Sequence, residues 1–227
     1  MSAATAPVGR RRRYFSSLVL TALALSFAAA EGARAQSLVV NGEFDFDVAN
    51  WELVGSPGSE LVWNTLDHDA CGDASGSAQF VNDAATPDTG NSIVSCVLGI
   101  TPGAAYSFEV FLRFPDGQAA TGSASTLLQW YDSELDCDGS FVGNSPGGAP
   151  SVTTSTPGVW LRSGADAVVA PVGAHSAHAR VILFKETAGE PLMVRIDGFH
   201  VVESGGVLLF DGFESGSTCR WTSAVPN

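Results

Sequence analysis

Beyond residue 35 the chain is poor in basic charge. Of its eleven Lys and Arg, only six lie after Ala35, against 23 of the 24 Asp and Glu. The formal charge of −17 that results repels phosphate backbones and anionic lipid, which argues against nucleic-acid binding and peripheral membrane binding. No Cys-x-x-Cys spacing occurs, so a zinc site has no sequence support. There is no Gly-rich phosphate loop, and nothing marks a nucleotide site. Past the N-terminus no apolar run could cross a bilayer, because Val207 to Phe210 is one short strand long. Helical periodicity is absent as well, which excludes an α-rich fold.

What is present begins with an address. Arg10 to Arg13 precede an apolar run from Leu18 to Ala30, and Ala33-Arg34-Ala35 supplies the small-x-small pattern of a signal peptidase site. Residues 1–35 therefore read as a secretory signal peptide cleaved before Gln36, since the run is too short, and broken by Ser26, to serve as an anchor. Arg12-Arg13-Tyr14-Phe15 also has a twin-arginine character. The expectation is a protein secreted by a bacterium to the periplasm, cell surface or medium, with no membrane span after cleavage. The remaining 192 residues suffice for one domain with a real core, and 45% hydrophobic content argues against disorder.

All four cysteines, Cys71, Cys96, Cys137 and Cys219, fall in the exported part, where disulfides persist. Four cysteines permit three pairings. Cys71 with Cys96, flanking one hairpin, is the preferred pair. Cys96 with Cys137 is the close rival and leaves Cys71 and Cys219 free or paired.

From Gln36 onward, short runs of β-branched and aromatic residues alternate with clusters of Gly, Pro, Asn, Asp and Ser, the punctuation of an all-β chain. Strands are predicted at 38–44, 51–54, 60–64, 77–81, 92–100, 105–114, 126–131, 159–169, 178–185 and 192–202. In the 105–114 run Tyr106, Phe108, Val110, Leu112 and Phe114 share one face. The run 179–185 is apolar on both faces and reads as a strand covered on each side. Residues 139–158, rich in Gly, Pro, Ser and Thr, read as one long loop. About ten strands with long loops imply a two-sheet antiparallel β-sandwich.

Several short motifs follow one another in a recognisable order: Val40-Asn41-Gly42-Glu43-Phe44, then Trp51, Ala74-Ser75-Gly76-Ser77-Ala78, Pro102 to Phe108, Gly158-Val159-Trp160 and Val194 to Phe199. In sequence and spacing they resemble the carbohydrate-binding modules of the family 4 and 9 type, jelly rolls of the galactose-binding-domain-like class. The resemblance spans residues 38–203. It implies a jelly-roll domain over residues 36–203, with Trp51 and Trp160 packed in the core. It also implies a structural calcium ion held by the side chains of Glu43 and Asp197 and by backbone carbonyls near Asn41 and Ser75-Gly76. Calcium takes six to eight oxygens in flexible geometry, which carboxylates from distant strands can supply. The sequence departs from the pattern at Asp197-Gly198, where the family carries two acids in a row.

Sugar rings are held by aromatic faces, and their hydroxyl groups by amides and carboxylates. Trp63, Gln129, Trp130 and Tyr131 are the candidates for this role, with Trp63 or Trp130 as the platform. Trp130 and Tyr131 are adjacent on a strand, so only one can line a given face. The acidic run Asp67-His68-Asp69-Ala70-Cys71-Gly72-Asp73 fails the EF-hand pattern and reads as a solvated turn. His175 and His178, three residues apart on a non-helical segment, read as edge residues. Gly143-Asn144-Ser145-Pro146-Gly147 matches a nucleophile elbow by letters only, for no helix follows it.

Residues 204–227 form a separate tail. Its Val207 to Trp221 stretch echoes Leu38 to Trp51, with a Trp ten residues after the Asp or Asn in each. The tail resembles the Asp-Gly-Phe-Glu-Ser-Gly segments that end many exported bacterial proteins. The sequence thus leads to a secreted, non-catalytic module whose partner is an oligo- or polysaccharide. The alternative is an extracellular or cell-surface interaction protein with no glycan ligand.

Overall fold

The computed structural model describes residues 37–69, 75–146 and 149–204. Eleven strands occur there and no helix: β1 (Glu52–Val54), β2 (Glu60–Asn64), β3 (Ser77–Asn82), β4 (Thr89–Leu98), β5 (Ala105–Arg113), β6 (Gly122–Tyr131), β7 (Phe141–Asn144), β8 (Val152–Thr153), β9 (Leu161–Val169), β10 (Ser176–Lys185) and β11 (Leu192–Glu203). A six-stranded sheet runs β1-β4-β10-β6-β7, with β8 also paired to β6; a five-stranded sheet runs β2-β3-β11-β5-β9. Every pairing is antiparallel. The protein is an all-β, two-sheet sandwich.

Alternation sets the two faces of each sheet. β5 and β6 switch between buried and half-buried positions at every residue, so Phe108, Val110 and Leu112 of one sheet meet Ala124, Leu128 and Trp130 of the other in a dry interior. Each such side chain withdrawn from water contributes about 1.5–3 kcal/mol. β10 and β11 are central in their sheets and give Val181, Leu183, Val194 and Ile196 to the same core.

Three expectations are corrected. Residues 38–44 do not form a strand, because Asn41 and Phe44 take positive φ values of 55° and 50° and turn the chain. The segment instead clings to β11 through Leu38 N–H to Val201 O (2.8 Å) and Phe199 N–H to Gly42 O (2.9 Å). Gly42 is required there, since a Cβ would lie 2.0 Å from the Phe199 carbonyl oxygen. Residues 139–158 are not one loop but contain β7 and β8, two short edge strands whose turn-rich composition hid them. β10 is covered on one side only: its His178, Arg180 and Ile182 are half-buried and Phe184 is exposed, while the inward Lys185 is fully buried with Nζ donating to Ala84 O (2.8 Å) and Gly189 O (3.2 Å).

The disulfide is also corrected. Cys96 is bonded to Cys137, with Cα atoms 5.7 Å apart, so the preferred Cys71–Cys96 pair does not form. The bond ties the loop after β6 across the outward side of β4, a contact no hairpin argument could foresee. Cys71, Cys219 and the tail from residue 205 lie outside the described residues.

Candidate functional site

The outward face of the six-stranded sheet carries the richest set of ligand-binding side chains. Register places His178 of β10 opposite both Cys96 of β4 and Gln129 of β6, and Arg180 opposite Val94 and Leu127. Gln129 Oε1 accepts from Tyr131 Oη–H (2.9 Å) and from Arg180 Nη1 (3.2 Å). The Tyr131 ring meets His178 edge-on at 4.9 Å and Phe141 at 6.2 Å. Desolvation by burial, aided by the Arg180 charge, pushes the His178 pKa below 6.5. At neutral pH its imidazole therefore offers one donor and one acceptor. Burial likewise raises the Tyr131 phenol and keeps it a hydrogen-bond donor.

Beside this row lies a cleft of about 300 Å³ lined by Val40, Asn50, Glu52, Val94, the Cys96–Cys137 disulfide, Asp136, Asp138 and His178. Its chemistry is amide, carboxylate and imidazole over an apolar floor, the combination that meets hydroxyl-rich ligands. Asn50 sits at positive φ (67°), which turns the chain immediately before β1.

The sequence candidates do not converge. Gln129 and Tyr131 belong to this face. Trp130 points the other way and is fully buried against Tyr106, ring centroids 6.0 Å apart, so it is a core residue and not a platform. Trp63 is 36% exposed on the other sheet, and it is held in place by Nε1–H to Phe44 O (2.7 Å) and packed over Gly76. Trp51 is in the core, between Phe44 and Phe199. Trp160 is half-buried with its edge to His68, so its assignment to the core is corrected. Sequence reasoning missed Glu52, Asn50, Phe141 and Arg180, and set Asp138 and His178 aside. Strand alternation with Gln129 and Tyr131 was the one signal that pointed to this face. Ser145 is buried, its Oγ accepting from Leu128 N–H (3.1 Å).

The residues named for calcium form a second locus along β11. Asp197 is 2% exposed and accepts from His68 N–H at Oδ2 (2.8 Å). Burial, with lesser contributions from Glu43 and Asp67, pushes its pKa up to about 9, so it is neutral at pH 7. Glu43 Oε1 meets His200 Nε2 at 2.6 Å. Asp67, read from sequence as a solvated turn residue, thus stands close enough to act on Asp197. Ser75 Oγ is buried with no hydrogen-bond partner among the described residues. The Asn41 carbonyl accepts from Trp51 Nε1–H (3.0 Å), and its amide is bound to Asp47 and Ala49. Among the described residues no three His, Cys, Asp or Glu side chains converge as a finished metal site. Glu43 and Asp67 acting on the buried Asp197 bring together carboxyl oxygens of the kind a cation's charge and oxygen preference suit.

Comparison with solved structures finds the same sandwich in carbohydrate-binding modules. The C-terminal family 22 module of Clostridium thermocellum Xyn10B matches with a TM-score of 0.50 and 17% identity over 80% of this chain and 98% of that one. A xylan-binding domain of the same family 22 matches with a TM-score of 0.50 and 17% identity over 79% and 99%. An arabinose-bound α-L-arabinofuranosidase gives 0.51 and 16% identity, over 77% of this chain but only 27% of the enzyme. No family model matches the sequence, and no curated protein does.

Proposed function

We propose that the protein is an exported, non-catalytic module that binds a neutral oligo- or polysaccharide on the outward face of the six-stranded sheet. The observation that carries this reading is the Tyr131–Gln129–Arg180–His178 row beside an acid- and amide-lined cleft. One aromatic ring and several fixed donors and acceptors in a shallow apolar trough are what sugar hydroxyl groups and ring faces require. The fold shared with xylan-binding modules, the motif resemblance to modules of the family 4 and 9 type, the disulfide and the signal-like N-terminus support it. Calcium belongs to the proposal as a structural ion. Glu43, Asp197, Asp67 and Ser75 would hold it where residues 40–44 meet β11, and its charge would let Asp197 ionise.

A glycan array probed with the protein, followed by calorimetric titration of the hits, tests the glycan reading. Saturable binding that Tyr131→Ala and Gln129→Ala abolish in folded protein would support it. One observation favours the second reading, an extracellular interaction protein with no sugar ligand: among the described residues no tryptophan lines the groove. A flat array from folded protein would transfer the function to that reading.

A further inference from the structure

The outward face of the opposite, five-stranded sheet sets two arginines directly against each other. Arg195 of β11 stands directly opposite Arg113 of β5 on one side and opposite Gln79 of β3 on the other. Like charges placed opposite each other across two strands are destabilising. A chain with 23 acids after residue 35 could have matched each arginine with a carboxylate. It does so for Arg162 on the same face, whose Nε donates to Glu109 Oε2 at 2.5 Å and whose Nη2 lies 3.5 Å from Asp166.

No such partner serves the cross-strand pair. Arg195 makes no hydrogen bond and no ion pair among the described residues, and Arg113 reaches only the exposed Asp116, at 4.0 Å. The Nε atoms of both are buried and without a hydrogen-bond acceptor. The nearest acid along β11, Asp197, is turned toward His68 and Asp67. A buried N–H left without an acceptor is destabilising, and here two lie on directly opposed residues. Gln79 Oε1 accepts from Asn64 Nδ2 (3.4 Å), which leaves its amide N–H groups as further donors. Trp160, just before Leu161 of β9, is half-buried and meets His68 edge-on, ring centroids 5.8 Å apart.

We propose that Arg113 and Arg195 together form a receptor for a single oxyanion held by their guanidinium groups, with Gln79 as an added donor. Guanidinium forks match carboxylate, sulfate and phosphate geometry, and a shared oxyanion turns the repulsion between them into attraction. The net charge of −17 opposes a long polyanion, so the occupant carries isolated negative groups. The carboxylate of an acidic sugar offers one such group on a hydroxyl-rich ring, while sulfate and phosphate share the oxyanion chemistry. The site lies on the sheet opposite the proposed glycan groove and stands or falls independently of it.

The test is titration of the intact protein with D-glucuronate, inorganic sulfate and inorganic phosphate, with glucose and chloride as controls, read at the arginine Nε–Hε resonances. Saturable shifts at Arg113 and Arg195 are expected for at least one oxyanion and for neither control. Arg195→Gln should weaken that binding at least tenfold, and should melt no lower than the parent in chloride buffer. Saturation by glucuronate alone would identify an acidic-sugar site; saturation by sulfate or phosphate would establish the receptor and give it an ester group instead. Absence of saturation with all three, or an unchanged affinity in Arg195→Gln and Arg113→Gln, would overturn the proposal. Tyr131→Ala should leave these shifts intact even where it abolishes glycan binding.

Discussion

The Tyr131 ring meets His178 edge-on at 4.9 Å, although the two side chains come from neighbouring strands and are not cross-strand partners: Tyr131 pairs with Ser176, and His178 with Gln129. The diagonal contact sets the phenol and the imidazole side by side above the same strand pair, and the Cys96–Cys137 bond walls the cleft next to them.

Adjacent residues on β6 should separate stability from binding. Trp130→Ala removes a fully buried indole and should cost about 3–5 kcal/mol in chemical denaturation. Tyr131→Ala should leave the denaturation midpoint nearly unchanged and weaken glycan binding by at least roughly 2 kcal/mol, about thirtyfold, which takes a weak glycan below detection. If both variants lose binding only in proportion to their loss of folded protein, the assigned face is wrong.

The neutral His178 gives a pH dependence with a defined sign. Its folded pKa lies below the ordinary 6.5, so the unfolded chain takes up the proton first as pH falls. The resulting loss of stability is absent above about pH 6.5 and grows below it, until the folded pKa is passed. His178→Asn should flatten that part of the stability–pH profile in thermal melts at low salt; an identical profile in the variant would contradict the assignment.

Calcium should raise the melting midpoint of the parent protein, and chelator should lower it. A ligand at a hundred times its Kd adds about 2.7 kcal/mol of stability. Asp197→Asn and Glu43→Gln should each reduce the calcium response sharply. A response of parental size in both variants would place any ion elsewhere.

The disulfide joins residues 41 positions apart. Replacing both cysteines by alanine should cost about 4 kcal/mol on the chain-entropy model. Because Cys96 and Cys137 line the cleft, the double variant should also lose glycan affinity under conditions where it remains folded. Calorimetry on the folded fraction separates the two effects.

Alternation made most of the sandwich legible. Strand periodicity is local, so residues 105–113 declare their inward face without knowledge of their partners. The same rule said that Trp130 and Tyr131 point apart but could not say which faces the core. That depends on which side of β6 the second sheet lies. Residues 38–44 were misread because two positive φ values, at Asn41 and Phe44, override a β-like composition.

The sequence by itself determined the all-β class, the acidic excess after residue 35 and the face-sharing sets along the alternating strands, because these follow from composition and from a period of two residues. Only the tertiary structure decided that Cys96 bonds Cys137, that Asp67 stands near Asp197 and that Arg195 faces Arg113. Each of these joins residues far apart in the chain. Strand order and register bring them together, and no local pattern encodes either.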